Sequence, residues 1–170
     1  LQSGAKLQWT DSARPHIIDD DLAKGMAEAG CVMLSYGVES GSDTVLARMK
    51  KGFTAEQAGA ALEAAHAAGI LNRVNLIAGF FHEREEDVAA TERFVAEHHQ
   101  AMDVIGCFQG FYLFDGMDLD PDSLGIQLRG GEACAFDTLS MGQRTRTYDE
   151  LGPGGLRWED KRGQIDASWT

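Results

Sequence analysis

The sequence predicts an α/β fold built on a parallel sheet, and three observations support this prediction. Short apolar segments alternate along the chain with helical segments of 10–16 residues, which is typical of βαβ units. Residues 31–38 (CVMLSYGV) form an apolar run, as expected for a strand that is covered on both faces. A chain of 170 residues with 44% hydrophobic side chains is also long enough to bury one substantial core.

The predicted helices carry start and stop signals. Thr54 and Gln57 match a capping box at the start of the clearest helix, and Gly69 follows its end. Acidic residues fill the first turn of the other long helices, where they interact favourably with the positive end of the helix dipole. The predicted helices are residues 18–30, 43–52, 54–69 and 84–99.

The predicted strands are short apolar runs, and the first three are each followed by a helix, as crossovers between parallel strands require. They are residues 5–10, 31–38, 73–81 and 103–114. After residue 115 the periodicity is lost, and clusters of Gly, Pro and Asp predict irregular structure with one short helix or hairpin. We therefore predict two domains, an α/β domain at 1–115 and an irregular C-terminal extension at 116–170.

Charge and cysteine content exclude several classes of function. The net charge of −12 argues against a nucleic-acid backbone or an anionic membrane surface as the main partner. Cys31, Cys107 and Cys134 are far apart and odd in number, so they predict neither a disulfide framework nor a local metal site, and they fit a reducing cytoplasm. No apolar run approaches the roughly 18 residues of a membrane span.

A carboxylate stands at the predicted end of the second strand. Residues 37–42 read GVESGS, so Glu39 leaves the strand and small residues follow it. In parallel α/β folds, ligands bind at the carboxyl ends of the strands. Gly37 and Gly41 allow close backbone approach, while Glu39 and Ser40 present oxygen atoms to a polar ligand. From the residues alone, the alternative for Glu39 is a solvated loop acid or a cap of the following helix.

Over residues 7–114 the sequence resembles the radical S-adenosylmethionine enzymes, in particular the group whose members often carry an N-terminal cobalamin-binding domain. The resemblance rests on WTDSARPHIIDDDLAKGMAEAGC, YGVESGSDTVLARMKKGFTAEQ and LIAGFFHEREEDVAAT, in the order and spacing that the family shows. It implies a partial parallel (β/α) barrel of TIM-barrel type with an irregular C-terminal extension. This chain corresponds to about four βα units, the third to sixth strands of a six-strand partial barrel.

The resemblance implies that strand-end residues bind S-adenosylmethionine. In the family, the Gly-x-Glu-Ser-Gly-Ser turn binds the ribose, which assigns this role to Glu39 with Ser40 beside it. Arg14 matches a frequent family arginine that could pair with the cofactor's carboxylate, with a surface ion pair as the alternative. Gly79 remains in register with the family's next strand-end turn, at the adenosine. Tyr112 lies where the family packs the adenine, with plain core packing as the alternative.

The sequence departs from the family at the third strand end. Residues 79–83 read GFFHE where the family usually reads Gly-Phe-Pro-Gly-Glu. We expect a different turn here, because Phe81 and His82 lack a glycine's access to positive φ. His82 is either a proton donor or ligand, or an exposed loop histidine.

A second departure concerns the cysteines. The family is defined by a Cys-x3-Cys-x2-Cys loop after the first strand, which holds a [4Fe-4S] cluster, and this spacing is absent from the sequence. The resemblance therefore implies that the cluster ligands lie outside this chain, in a missing N-terminal half of the barrel. We expect the chain alone to be inactive.

The resulting hypothesis is a radical S-adenosylmethionine enzyme in the intact protein. The resemblance implies reductive cleavage of S-adenosylmethionine to a 5'-deoxyadenosyl radical that acts on a small-molecule or biosynthetic-intermediate substrate, or methyl transfer if cobalamin is a second cofactor. This segment would supply the ribose and adenine side of the site. Two other classes stay open: a non-catalytic barrel remnant that serves as an interaction module, and a different parallel α/β barrel enzyme that binds a phosphorylated ligand, although no G-x-G-x-x-G or P-loop follows any strand.

The cysteine assignment predicts that Cys31, Cys107 and Cys134 hold no iron. Replacing all three with alanine in the intact protein should leave the iron and sulfide content after anaerobic reconstitution unchanged, because their spacing does not form a cluster loop. Chemical iron analysis and the visible absorbance of the cluster measure this. Loss of the cluster in a variant whose circular dichroism is unchanged would contradict the assignment.

Overall fold

The computed structural model describes residues 7–114, 117–129 and 145–167. The described residues fall into two compact units. Unit 1 lies within Leu1–Ile77 and Arg84–Gln109, and unit 2 lies within Ala78–Glu83 and Gly110–Thr170. The predicted division at residue 115 stays a prediction, because compactness does not test which segments fold independently. Among the described residues, no helix combines the length and apolar character needed to cross a bilayer.

Four strands form one sheet in the order β1-β2-β3-β4. β1 pairs in parallel with β2, and β2 pairs in parallel with β3. The strands are β1 (Trp9–Ala13), β2 (Cys31–Glu39), β3 (Leu71–Ala78) and β4 (Val104–Gly110). The helices are α1 (Asp20–Glu28), α2 (Asp43–Arg48), α3 (Ala55–Ala67) and α4 (Glu85–His98). The predicted α/β class is confirmed, with helices alternating with parallel strands as in a partial barrel.

The first strand lies at Trp9–Ala13 rather than at residues 5–10. Its register explains the difference, because Trp9 pairs with Cys31, where β2 begins, and Ala13 pairs with Tyr36. Thr10, Asp11 and Ser12 are exposed, and their polar side chains gave no apolar signal in the sequence. Pairing with a neighbour, rather than local hydrophobicity, determines where this outer strand lies.

The core of unit 1 lies between β2 and the helices. Leu34, Tyr36 and Val38 occupy alternate positions of β2 and have no exposed surface. Buried alanines of α3 belong to the same cluster, together with Leu62. The small volume of the alanine side chains brings the helix close to the sheet. The predicted capping box is confirmed: the Thr54 hydroxyl accepts from the Gln57 N–H at 3.2 Å, and the Gln57 side chain accepts from the Thr54 N–H at 2.9 Å.

The turn after β2 packs directly on α4. A Cβ at Gly41 would lie 2.5 Å from the Phe94 Cβ and 2.8 Å from the Thr91 Cα. Both distances are shorter than any stable carbon–carbon contact, so only glycine fits at this position. The close approach that the sequence predicts at Gly41 is therefore an approach to a helix.

Unit 2 contains more regular structure than the sequence predicts after residue 115. Two antiparallel pairs form, β5 with β7 and β6 with β8. Their residues are Leu113–Phe114 (β5), Ile126–Leu128 (β6), Thr145–Arg146 (β7) and Tyr148–Glu150 (β8), and the helices are α5 (Pro121–Leu124) and α6 (Trp158–Ala167). Strands of two or three residues are too short for a periodic signal, and their partners lie far along the chain.

Replacing Gly41 with alanine should lower the free energy of unfolding by about 1–3 kcal/mol, because the added methyl group overlaps helix atoms that cannot move independently. Urea denaturation measures the change. Gly25→Ala is the matched control: this position in α1 has open space around it, so alanine should stabilise the helix by about 0.5–1 kcal/mol. Equal stabilities of Gly41→Ala and the unsubstituted protein would contradict the packing described here.

Candidate functional site

In unit 1, three of the predicted binding residues lie at the carboxyl ends of two neighbouring strands. Arg14 directly follows β1 and is exposed, Glu39 is the last residue of β2, and Ser40 follows it. The register pairs Ala13 of β1 with Tyr36 of β2, so both strands end at the same edge of the sheet. Parallel neighbours are spaced about 4.8 Å apart, so the structure brings Arg14 and Glu39 to one edge.

Glu39 has an unusual backbone conformation. Its φ is 71°, in the left-handed region that non-glycine residues avoid at a cost of about 1–2 kcal/mol. The pairing with β3 shifts at the same point, because Gly37 pairs with Asn75 but Glu39 pairs with the next residue, Leu76. Such a bulge redirects a side chain at the end of a strand. Strained conformations of this kind cluster at functional sites, which makes Glu39 a candidate.

The Glu39 side chain lies over the backbone of its own strand. A Cβ at Gly37 would lie 2.6 Å from the Glu39 Oε1 and 3.4 Å from the Lys51 Nζ, so glycine leaves the space that this pair occupies. Lys51 Nζ is 3.4 Å from Glu39 Oε1 and 5.8 Å from the centre of the Phe53 ring. The Glu39 side chain is 19% exposed. Since a carboxylate has about four acceptor positions, one ammonium partner leaves capacity for a ligand.

Lys51 is a site residue that the sequence analysis missed. Lys50 and Lys51 lie just after α2, where cations interact favourably with the helix dipole, so their position alone indicates no ligand role. The sequence signal for a role of Lys51 was the glycine after it, because Gly52, at φ 77°, allows the chain to change direction after the helix.

Ser40 uses its hydroxyl to hold the turn. The residue has no exposed surface, and its Oγ lies 3.0 Å from the Thr91 Oγ1 of α4. The same Thr91 oxygen accepts from the Gly41 N–H at 3.0 Å, and the Ser40 Oγ accepts from the Ser42 N–H at 3.1 Å. A direct contact between Ser40 and a ligand stays a prediction. The geometry gives Ser40 a positioning role.

A second bond ties the same turn to the start of α4. The Ser42 Oγ donates to the Asp87 Oδ1 at 2.5 Å, and the other oxygen of this buried carboxylate accepts from the Arg84 N–H at 3.0 Å. Ser42 also caps α2 by accepting from the Val45 N–H. Asp87 therefore has a structural role beyond the helix-dipole role that its position predicts.

In unit 2, Gly79 and His82 define the turn that follows β3. Gly79 has φ 83° and is buried, and its N–H donates to the Glu83 carboxylate. The expectation that His82 lacks access to positive φ is wrong, because His82 has φ 56°. Its N–H donates to the Glu150 Oε1 at 2.6 Å, and its Nε2 lies 2.9 Å from the Leu124 carbonyl oxygen. These contacts offset the strain, and they leave His82 partly buried rather than exposed.

Tyr112 follows an aromatic cluster of unit 2. The Phe111 N–H donates to the Ala78 carbonyl at 2.8 Å, and the Phe111 ring lies 4.8 Å from Phe80 and 5.0 Å from Phe81, centre to centre. These rings pack as a core. Tyr112 itself is half-buried, and its predicted contact with an adenine stays a prediction.

The cysteines do not form a metal site in the described part of the chain. Cys31 is buried, and desolvation raises the pKa of its thiol, which disfavours the thiolate that binds metals. Cys107 is half-buried in β4, and Cys134 lies outside the described residues. Within residues 7–114, 117–129 and 145–167, no group of three or more His, Cys, Asp or Glu residues is placed to hold a metal ion. The donor set described here therefore does not fit a [4Fe-4S] cluster.

Comparison with known proteins gives one family and several relatives. The family model of the Radical SAM superfamily matches residues 6–95. The chain is also 36% identical over 93 residues to an uncharacterized methyltransferase of Pyrococcus horikoshii, a match that covers 55% of this chain and 20% of that protein. The chain thus spans about a fifth of the length of this relative.

Solved structures with the same fold include radical enzymes. A structure of the cobalamin-dependent S-adenosylmethionine radical enzyme OxsB, with aqua-cobalamin and S-adenosylmethionine bound, has a TM-score of 0.53 and 26% identity over 59% of this chain and 16% of that chain. The radical S-adenosylmethionine methyltransferase TsrM from Kitasatospora setae has a TM-score of 0.59 over 96% of this chain and 36% of that chain. Its identity is 22%, so it supports the fold alone.

Replacing Gly37 with alanine should displace the Glu39 carboxylate and change the unfolding free energy by only about 0.5 kcal/mol, because the new methyl group meets the mobile ends of two side chains. A crystal structure of the variant shows the position of the carboxylate, and urea denaturation measures its stability. An unmoved carboxylate would contradict the placement described here.

Proposed function

The chain belongs to the Radical SAM superfamily, and from this membership we propose that it supplies S-adenosylmethionine-binding strand ends of an enzyme that cleaves this cofactor reductively. The observation that carries the proposal is Glu39, a partly exposed carboxylate held at positive φ at the end of a parallel strand. Parallel α/β folds bind their ligands at this end of the strands.

Glu39 is suited to bind the ribose of the cofactor. The two neighbouring hydroxyl groups of a ribose donate hydrogen bonds, and a carboxylate can accept both. Bonds to a charged acceptor are about twice as strong as neutral ones. The ion pair with Lys51 orients the Glu39 carboxylate before the ligand binds, and the absence of a side chain at Gly37 leaves room for it. Less conformational entropy is therefore lost on binding.

Ser40 and Arg14 have different roles in this proposal. Ser40 acts through the turn, because its buried hydroxyl fixes the backbone that carries Glu39 onto α4. Arg14 is an exposed cation at the same edge of the sheet, where it would pair with the carboxylate of the cofactor's amino-acid part. For Gly79 and Tyr112 of unit 2, the role at the adenosine remains a proposal that rests on the family resemblance.

The family uses S-adenosylmethionine and a [4Fe-4S] cluster. Such a cluster would supply the electron that the proposed reductive cleavage of the cofactor to a 5'-deoxyadenosyl radical requires. Because the described residues do not fit the cluster, we assign its ligands to other parts of the intact protein and give this chain only the work of binding and orienting the cofactor.

The substrate and the outcome of the reaction are proposed from the relatives. OxsB is described as cobalamin-dependent, and the Pyrococcus horikoshii relative is named a methyltransferase. We propose a small-molecule or biosynthetic-intermediate substrate, with cobalamin as a second cofactor that allows methyl transfer. The net charge of −12 further supports a partner other than nucleic acid.

Replacing Glu39 with alanine in the intact protein should weaken S-adenosylmethionine binding about 10- to 100-fold. The loss corresponds to charge-assisted hydrogen bonds worth about 1.5–3 kcal/mol. Glu39→Gln should cost less, because an amide retains an acceptor oxygen. Isothermal titration calorimetry measures all three affinities.

The matched control is Glu92→Ala, which removes the same charge from an exposed position of α4 and should leave the affinity unchanged. The cluster absorbance should be equal in all variants, because Glu39 is not an iron ligand. An unaltered affinity in Glu39→Ala, with the circular dichroism unchanged, would return Glu39 to the solvated-loop interpretation.

A further inference from the structure

A fully buried ion pair joins β8 to α6 in unit 2. The Lys161 Nζ lies 3.1 Å from the Glu150 Oε1, and neither side chain has exposed surface. Removing two charges from water is costly, and it is offset only when their remaining hydrogen-bonding groups are also satisfied. The partners of this pair therefore indicate what it does.

Those partners lie in the turn that follows β3. The Glu150 Oε1 accepts from the His82 N–H at 2.6 Å, and the Lys161 Nζ donates to the Glu83 carbonyl oxygen at 3.4 Å. The other carboxylate oxygen of Glu150 accepts from the Leu156 N–H at 3.1 Å. The carboxylate and the ammonium group thus hold two consecutive residues of one turn.

The first of these residues, His82, needs a hydrogen bond that stabilises its backbone conformation. His82 has φ 56°, a conformation that is strained for any residue with a Cβ. The His82 ring is also held, because its Nε2 lies 2.9 Å from the Leu124 carbonyl oxygen. Gly125 packs against the same ring: a Cβ at Gly125 would lie 3.1 Å from the His82 Nε2. The strained conformation persists because its surroundings specify it.

The second residue, Glu83, links the ion pair to Gly79 through hydrogen bonds. The Glu83 carbonyl is held by Lys161, and the Glu83 carboxylate accepts from the Gly79 N–H. Glu83 is 2% exposed, so its side chain has little freedom to take another position. The location of the Gly79 backbone therefore depends on the ion pair through a single intermediate residue.

We propose that Glu150 and Lys161 form a clamp that positions the turn at residues 79–83 for cofactor binding. The clamp supplies, by contacts from the C-terminal segment, a constraint that keeps His82 at positive φ. The inference rests on the proposed function, in which Gly79 contributes to S-adenosylmethionine binding. Both clamp residues are positioning residues, because they act through the turn.

The test removes both charges together in the intact protein. The double variant Glu150→Leu/Lys161→Met removes the two charges of the pair together, and replacing a buried ion pair with apolar residues is often tolerated without loss of stability. Hydrogen exchange followed by NMR should show faster exchange at the Gly79 and His82 amides. Calorimetry should show S-adenosylmethionine affinity reduced about tenfold.

Adding His82→Gly to the double variant provides the decisive measurement. Glycine adopts positive φ without strain but also lacks the ring contact with Leu124, so it should recover part of the slow exchange at Gly79 and part of the lost affinity. A purely structural ion pair would not be rescued at this position, because the glycine adds no packing. Failure of the rescue overturns the proposal.

Arg129→Met is the matched control. Arg129 binds Asp149 at 2.6 Å and also binds Glu159, and it thereby links β6, β8 and α6 next to the clamp without contacting the turn. It should leave the amide exchange of the turn and the cofactor affinity unchanged. An affinity loss equal to that of the double variant would overturn the clamp, because it would show a general effect of loosening these elements.

The clamp and the proposed function fail in different ways. Glu39→Ala tests cofactor binding in unit 1 and does not involve the clamp. If Glu39→Ala lowers the affinity while the double variant accelerates exchange at the turn without changing affinity, the proposed function stands and the clamp is overturned. If neither Glu39→Ala nor the double variant changes the affinity, the proposed function fails and the clamp fails with it.

Discussion

The hydrogen bonds that fasten the turn after β2 to α4 are the constraint on which the candidate site depends. Ser40 and the Gly41 backbone bond to Thr91, and Ser42 bonds to Asp87, so three consecutive residues are held by one helix. Because Gly41 has no side chain, the turn lies directly on that helix. Glu39 immediately precedes this fixed segment and ends a strand with a shifted register, which explains how it can be held at positive φ.

The turn after β3 in unit 2 illustrates the same principle with different residues. Glu39 and His82 are both non-glycine residues at positive φ, and each lies at or just beyond the end of a parallel strand. Each is held by contacts with residues distant in sequence, since Thr91 supports the first turn and Glu150 supports the second. A strained residue kept in place by such contacts provides a preorganised backbone, which reduces the entropic cost of binding a ligand.

Family membership and local geometry contribute different parts of the functional assignment. The family match covers residues 6–95 and identifies an enzyme superfamily, but the chain spans only about a fifth of its curated relative. The geometry adds features that a family match does not specify, such as Lys51 beside Glu39 and the use of the Ser40 hydroxyl within the turn. The acceptor capacity of Glu39 connects the two, because the hydroxyl groups of the proposed ribose ligand donate hydrogen bonds that a carboxylate accepts.

The sequence by itself determined the alternation of strands and helices, the capping box at Thr54 and the location of Glu39 at a strand end, because these depend on neighbouring residues and on periodicity. Only the tertiary structure decided where β1 pairs, that the Ser40 hydroxyl meets a residue 51 positions away, and that His82 takes a left-handed conformation. The His82 N–H bonds to Glu150, 68 positions later, in a segment without a periodic pattern. Such contacts form only when the folded chain brings distant residues together, and their energy then outweighs the local preferences that sequence reasoning uses.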